Sequence, residues 1–128
     1  MLSQATFHAT IPAQDLARAR AFYENVLGFE PASIDPAGVF YEGRGGTRFL
    51  VFPSSGRASG DHTQLGLAVA DIEAEVRGLK AAGVAFESYD FPQFDAASSI
   101  ATFPGTRSAW FKDTEGNLIG VVQLTDAG

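Results

Sequence analysis

The chain contains the same pattern twice, and this internal repeat constrains the fold more than any other feature of the sequence. The segment HATIPAQDLARAR, from His8, aligns with QLGLAVADIEAEV, from Gln64, so that Asp15 falls on Asp71. Each copy shows the alternation of a strand, an Asp suited to cap a helix, and apolar residues at helical spacing. Each copy is too short to bury a good core alone, so the two are expected to pack together.

The same order of elements is predicted in both copies. Gly28 ends the first helix and Gly83 ends the second, because glycine at a helix end adopts the left-handed conformation easily. Glycine-containing turns then separate short apolar runs. The predicted strands are 6–13, 29–34, 39–42 and 48–52 in the first copy, and 84–89, 107–112 and 117–123 after the second helix.

The repeat predicts one domain over residues 1–128. Module one covers about 4–53, a Ser/Gly-rich linker covers 54–61, and module two covers 62–124. The predicted fold class is α+β, with two paired βαβββ modules that form a curled mixed sheet around a cleft.

Composition excludes several classes of function. The chain has no cysteine, which removes disulfides, thiolate metal sites and cysteine nucleophiles. Its net charge is -6 and its 9 Lys and Arg residues are scattered, so nucleic acid is not an expected partner. No apolar run is long enough to span a bilayer, and the first residues do not resemble a signal peptide. The expected location is the cytoplasm.

Three stretches carry a resemblance to a known family. HATIPAQDLARARAFYENVLGFEP, QLGLAVADIEAEVRGLKAAGV and WFKDTEGNLIGVVQ resemble the vicinal oxygen chelate superfamily, which includes glyoxalase I, bleomycin-resistance proteins and extradiol dioxygenases. The resemblance covers nearly all of residues 6–123 and implies the paired-module fold. Members of this family commonly dimerise, so the resemblance also implies a homodimer.

The resemblance implies metal-ligand positions on the first and last strands of each module. These positions fall on His8, Leu50, Gln64 and Gly120, where related enzymes carry His, Gln and Glu. Leucine and glycine cannot bind a metal, and one imidazole with one amide supplies no anionic charge. We therefore expect no metal, no cofactor and no catalytic residue of the family type.

Other interpretations of these positions stay open. A register slip would replace Leu50 by Phe49 or Val51, and neither of them binds metal. Gly120 could mark a β-bulge instead of a lost ligand. His8 could be a hydrogen-bonded pocket residue, or it could form an unusual two-histidine site with His62.

Acidic side chains and an aromatic segment complete the candidate site. Glu42, Glu87 and Glu115 could supply a carboxylate, although Glu115 is most simply a solvated turn residue. The long stretch 89–106 carries four aromatic residues and is expected to be a lid or pocket wall, or else a core cap or dimer contact. The predicted ligand pocket is His8, Leu50, Phe52, Gln64, Tyr89, Phe91, Phe94, Trp110 and Gly120.

Three functions follow from these observations. The favoured one is a metal-free protein that binds a small aromatic or cationic molecule in an apolar cleft. The second is a lyase, isomerase or dioxygenase whose ligands for Ni, Zn, Mn or Fe have moved to other residues. The third is a dimeric module with a vestigial cleft. The sequence does not identify the ligand.

Overall fold

The computed structural model describes residues 2–124 and contains two mixed sheets, one for each copy of the repeat. The first unit consists of β1 (Ala9–Ala13), α1 (Leu16–Ala21), β2 (Pro31–Asp35), β3 (Gly38–Glu42) and β4 (Arg48–Pro53). The second unit consists of β5 (Thr63–Ala68), α2 (Ile72–Ala81), β6 (Phe94–Asp95), β7 (Ile100–Phe103), β8 (Thr106–Lys112) and β9 (Leu118–Leu124).

Both sheets have the same inner topology. The first has the strand order β1-β4-β3-β2 and the second has the order β5-β9-β8-β7-β6. In each sheet the first strand of the unit lies parallel to the last one, and the other neighbours are antiparallel. The predicted α+β class with two paired modules is confirmed. The prediction of one mixed sheet built from two βαβββ modules is corrected in two points: each module forms a sheet of its own, and the second module has the additional short strand β6.

The two helices begin and end where the sequence predicts. The side chain of Asp15 accepts a hydrogen bond from the N–H of Arg18 at 3.0 Å, and Asp71 accepts one from Ala74 at 3.2 Å. After α1 the chain continues as a wider helical turn over Phe22–Val26. Gly28 and Gly83 then adopt φ angles of 84° and 95°. None of the helices within residues 2–124 is long and apolar enough to cross a bilayer.

The predicted strand 29–34 is Pro31–Asp35 in the structure, and two other predicted strands differ by three residues or more. The first begins at Ala9 and not at residue 6. The predicted strand 84–89 is wrong, because that segment contributes only an isolated bridge between Phe86 and Phe111 and one hydrogen bond from the N–H of Glu87 to the carbonyl of Trp110. Strand β7 pairs with residues 106–108 of β8, and on the rest of that edge Phe86 and Glu87 reach only residues 110 and 111.

Each sheet packs its inner face against its own helix. The first core includes Ile11, Tyr23, Val39, Tyr41, Phe49 and Val51, and the second includes Ile72, Val76, Phe111, Ile119 and Val121. Phe22, Leu27 and Leu65 contact both cores. The two units are therefore joined through apolar contacts within a single chain.

Polar contacts join the units as well. The buried hydroxyl of Tyr23 donates to the carboxylate of Asp113 at 2.7 Å. The amide of Asn117 donates to the same carboxylate at 2.8 Å and to the carbonyl of Pro12 at 2.9 Å. The turn before β9 is thereby tied to both β1 and the helix of the first unit.

Candidate functional site

The face of the sheets that points away from the helices is called the open face here. Ile11, Val51 and Ile119 point into the cores, and successive side chains of a strand point to opposite sides. The open face therefore carries Thr10, Leu50 and Gly120 at neighbouring positions in the strands. It is also the face on which the predicted pocket residues were expected to meet.

In the first unit, the predicted residues surround a phenylalanine that the sequence argument did not select. The imidazole of His8 packs edge-on against Phe40, with 5.3 Å between ring centroids. The guanidinium of Arg48 lies 4.3 Å above the same ring. Phe40 pairs with Leu50 on the adjacent strand, so strand alternation alone could have identified it.

The remaining predicted residues of the first unit lie nearby in the sheet. Leu50 and Phe52 are half-buried on β4. Gln64, on β5 of the second unit, uses its side-chain amide to donate to the carbonyl of Thr10 at 3.3 Å. The side chain of Gln64, predicted as a weak metal ligand through its oxygen, thus uses its amide nitrogen to bridge the two units.

In the second unit, the predicted aromatic residues form one connected group. The ring of Tyr89 lies 5.4 Å from Trp110 and 5.7 Å from Phe94, both edge-on. Phe91 lies 5.7 Å from Phe94 and is stacked on Phe103 at 5.9 Å. We call Tyr89, Phe91, Phe94, Phe103 and Trp110 the aromatic cluster. Tyr89 and Phe103 are 36% and 38% exposed, so ring surface remains accessible to a ligand.

The segment that carries most of this cluster is built into the second sheet. Residues 94–95 and 100–103 are strands β6 and β7, and the N–H of Thr102 donates to the carbonyl of Gln93 at 3.0 Å. These hydrogen bonds favour the interpretation of residues 89–106 as a fixed wall.

The structure shows what occupies the space beside Gly120. A Cβ atom at this position would lie 3.2 Å from Cγ2 of Thr63 and 3.4 Å from the indole of Trp110. The indole N–H of Trp110 donates to the hydroxyl of Thr63 at 3.1 Å, which fixes both side chains. The irregularity in this sheet lies between Thr63 and Leu65, so Gly120 is not the bulge considered from the sequence.

The residues at the family's ligand positions do not fit a divalent metal. Leu50 and Gly120 offer no donor atom, and Gln64 offers only a neutral amide oxygen, since its amide nitrogen donates to the carbonyl of Thr10. Within residues 2–124, no three His, Cys, Asp or Glu side chains come together in a way that could hold a metal ion. His62 is held at the linker, where its Nδ1 lies 3.1 Å from the hydroxyl of Ser59.

Glu115 has a structural partner, contrary to the expectation that it is a solvated turn residue. Its side chain is 1% exposed and accepts from the guanidinium of Arg18 at 2.8 Å and from the N–H of Asp15 at 3.0 Å. Hydrogen bonding from Arg18 lowers the pKa of Glu115 to about 2. This carboxylate therefore holds the start of α1 and is not free to serve a metal.

The ionisation of Tyr89 is also set by its surroundings. Burial, assisted by the nearby charge of Glu87, raises the pKa of the Tyr89 phenol. The phenol therefore keeps its proton at neutral pH and can donate a hydrogen bond beside the aromatic rings.

A cavity of about 630 Å³ lies elsewhere, between the two units. It borders β5, the hairpin 43–47 and the two helical segments, and none of the predicted pocket residues lines it. The predicted residues thus lie on the open face. This cavity is instead formed largely by side chains that point towards the helices, including Leu79 and Phe111.

Comparison with known proteins decides the family. A family model described as the Glyoxalase/Bleomycin resistance protein/Dioxygenase superfamily matches residues 6–121. This chain belongs to that superfamily. No curated protein sequence matches the chain.

Several solved structures share the fold of this chain. The protein UcmS2 is 22% identical to this chain with a TM-score of 0.73. The match covers 93% of this chain and 98% of UcmS2. TnmS3, described as an antibiotic binding protein from Streptomyces sp. CB03234, is 23% identical to this chain with a TM-score of 0.70. The match covers 95% of this chain and 98% of TnmS3. A putative glyoxalase family protein from Bacillus anthracis is 17% identical to this chain with a TM-score of 0.73. The match covers 95% of this chain and 96% of the Bacillus anthracis protein.

Proposed function

We propose that this protein binds a small aromatic or cationic organic molecule on its open face, without a metal, and that it acts as a cytoplasmic homodimer. The observation that carries the proposal is the aromatic cluster, whose rings lie 5.4–6.1 Å apart and present accessible faces. Stacking on such rings contributes about 0.5–1.5 kcal/mol per pair beyond the burial of apolar area.

The polar groups near the cluster suit an organic ligand. The protonated phenol of Tyr89 can donate or accept a hydrogen bond, and its ring packs edge-on against Phe94 and Trp110. The chain's net charge of -6 favours a cationic ligand over an anionic one. Pockets of this type combine apolar walls with a few placed polar groups.

Two further observations support metal-free binding of this kind. The space beside Gly120, where related enzymes carry a glutamate, is filled by the hydrogen-bonded pair of Trp110 and Thr63. In addition, one protein of the same fold, TnmS3, is described as an antibiotic binding protein. The proposal takes only the general chemistry of that description, an organic molecule held by the fold.

Exposed apolar side chains support the dimer. Phe7 is 86% exposed, Leu124 is 71% exposed and Ile34 is 58% exposed. A second copy of the chain could cover residues of this kind. Sedimentation equilibrium between about 1 and 100 μM tests this part of the proposal separately: a dimer mass supports it and a monomer mass throughout refutes it.

The chain's single tryptophan offers a direct assay for the ligand, since all tryptophan fluorescence comes from Trp110 in the cluster. We expect a planar aromatic cation such as proflavine to quench this fluorescence saturably in the presence of EDTA. A Phe91→Ala variant should bind about 2- to 12-fold more weakly, because one stacking partner is lost.

The control is Leu2→Ala, which removes an exposed apolar side chain outside the cluster. It should bind as the wild type does. Equal weakening by both substitutions, or quenching that requires Ni²⁺, Zn²⁺, Mn²⁺ or Fe²⁺, would refute the proposal. A metal requirement would support a lyase, isomerase or dioxygenase with relocated ligands.

A further inference from the structure

The internal repeat allows the two boundaries between the units to be compared residue by residue. Adding 56 carries β1 and α1 onto β5 and α2, so that Thr10, Pro12 and Tyr23 correspond to Gly66, Ala68 and Leu79. The turn before β9, residues 113–117, corresponds to the hairpin before β4, residues 43–47. Asn117, the last residue of the one, therefore corresponds to Thr47, the last residue of the other. Both turns close with the same hydrogen bond, from Gly43 to Thr47 at 2.8 Å and from Asp113 to Asn117 at 3.0 Å.

The boundary beside β1 is filled by side chains of the second unit. The carbonyls of Thr10 and Pro12 point away from β4, and they accept hydrogen bonds from the side-chain amides of Gln64 at 3.3 Å and Asn117 at 2.9 Å. The phenol of Tyr23 reaches the start of the same turn.

The boundary beside β5 lacks each of these side chains. Leu79 replaces the phenol, Gly43 replaces the carboxylate of Asp113, and Thr47 replaces the longer amide of Asn117. The result is the cavity of about 630 Å³, whose apolar floor includes Leu27, Phe29, Leu67, Leu79 and Phe111. Cavities of this volume are typical of small-molecule sites.

The backbone at the edge of this cavity carries hydrogen-bonding groups that face away from the sheet. The N–H of Val69 donates to Val122 on β9, so the alternate residues Gly66 and Ala68 direct their N–H and C=O groups away from β9. Both residues line the cavity and are solvent-exposed. Within residues 2–124, no side-chain or loop hydrogen bond reaches either of them, and β5 has β9 as its sheet neighbour.

The boundary beside β1 indicates which chemical group could bind at the edge of β5. Asn117 presents a primary carboxamide to Pro12, which can accept but has no N–H, and the carboxamide oxygen Oδ1 has no donor in the described structure. Ala68, the counterpart of Pro12, has both an N–H and a C=O. A primary carboxamide placed there can donate to the carbonyl and accept from the N–H of the same residue.

We propose that the cavity between the units is a second ligand site, separate from the open face, for a neutral aromatic or aliphatic molecule that carries a primary carboxamide or an equivalent adjacent donor and acceptor. The apolar part lies on Leu79, Phe29 and Phe111, and the carboxamide pairs with the edge of Ala68. The ligand thereby takes the place that Tyr23 and Asn117 take at the other boundary.

The test compares two probes of nearly equal shape, 2-naphthamide and 2-acetonaphthone, in which a methyl group replaces the amide NH₂. Each is titrated into the ¹⁵N-labelled wild-type chain and followed in ¹H–¹⁵N correlation spectra. We expect 2-naphthamide to shift the amide signals of residues 66–69 and 43–47 saturably. The ketone should bind about 2- to 10-fold more weakly, because it lacks the donor for Ala68.

A variant that fills the cavity gives a second test. Thr47→Asn with Leu79→Tyr installs the side chains of the filled boundary and should weaken 2-naphthamide binding at least 10-fold. The matched control Ser33→Asn changes an exposed residue of β2 and should leave binding unchanged. Equal affinities for the two probes, unchanged binding by the filled variant, or shifts confined to the indole of Trp110 would overturn the proposal. If the variant does not fold, the probe comparison on the wild type decides.

Discussion

The hydroxyl of Tyr23 is the clearest single contact by which one unit holds the other, and Tyr23→Phe removes only that atom. The hydroxyl is buried and donates at 2.7 Å to Asp113, which lies 90 residues away in sequence. A hydrogen bond to a charged acceptor contributes about 1.5–3 kcal/mol. For a domain of 128 residues, with an unfolding entropy near 2.1 cal/mol/K per residue, this corresponds to about 6–11 °C in Tm.

The assay is urea unfolding, followed by circular dichroism and by the fluorescence of Trp110, with calorimetry for Tm. Tyr41→Phe is the matched control, because the hydroxyl of Tyr41 donates at 2.8 Å to Glu24 within the first unit. Glu24 is partly exposed and keeps its ion pair with Arg20, so this change should cost only about 0.5–1.5 kcal/mol. A Tyr23→Phe variant within 0.5 kcal/mol of the wild type would refute the assigned role.

Further predictions concern the ion pair and the open face. Glu115→Gln should lower stability by about 0.2–1 kcal/mol at neutral pH, a modest value because Arg18 is 53% exposed. A carboxyl whose pKa is lowered by folding stabilises above its unfolded pKa, so this difference should disappear as the pH falls from about 4.5 towards 2 in urea titrations. Gly120→Glu should destabilise the fold by about 1–3 kcal/mol, because Thr63 and Trp110 fill the space, and thermal shifts with Ni²⁺ or Zn²⁺ should stay unchanged. Trp110→Ala should weaken proflavine binding, measured by calorimetry, more than Phe91→Ala does.

Much of the fold could be predicted because the repeat carries local signals that the structure uses directly. Asp15 and Asp71 cap their helices, and Gly28 and Gly83 end them with positive φ angles. These signals act within a few residues of the chain, so no tertiary information is needed to interpret them. The turn 113–117 was likewise visible in the sequence as the opening of the last strand.

The order of strands in the second sheet could not be predicted in the same way. Residues 84–89 have the composition of a strand, but a strand also needs an unoccupied edge. Part of that edge of β8 is taken by β7, which comes from a segment interpreted as a lid or wall, and Phe86 and Glu87 reach only residues 110 and 111 of the remainder. Competition between two segments for one edge depends on the whole fold, and single-sequence patterns do not contain it.

The candidate site likewise has features that local sequence patterns predict and features that depend on the whole fold. Strand alternation puts Leu50 and Gly120 on the open face, and the ring of Tyr89 contacts that of Trp110. The pairing of Trp110 with Thr63 and the burial of Glu115 by Arg18 depend on contacts between distant segments. Glu115 was consequently misjudged as solvated, and the filled space beside Gly120 became evident only from the structure.

The measurement that tests the central claim most directly is one pair of titrations of Trp110 fluorescence with proflavine, the first in EDTA and the second with one equivalent of Ni²⁺. The account predicts the same saturable quenching and the same dissociation constant in both, because Leu50 and Gly120 give a metal no donor on the open face. Quenching that is absent in EDTA and restored by Ni²⁺ would contradict it.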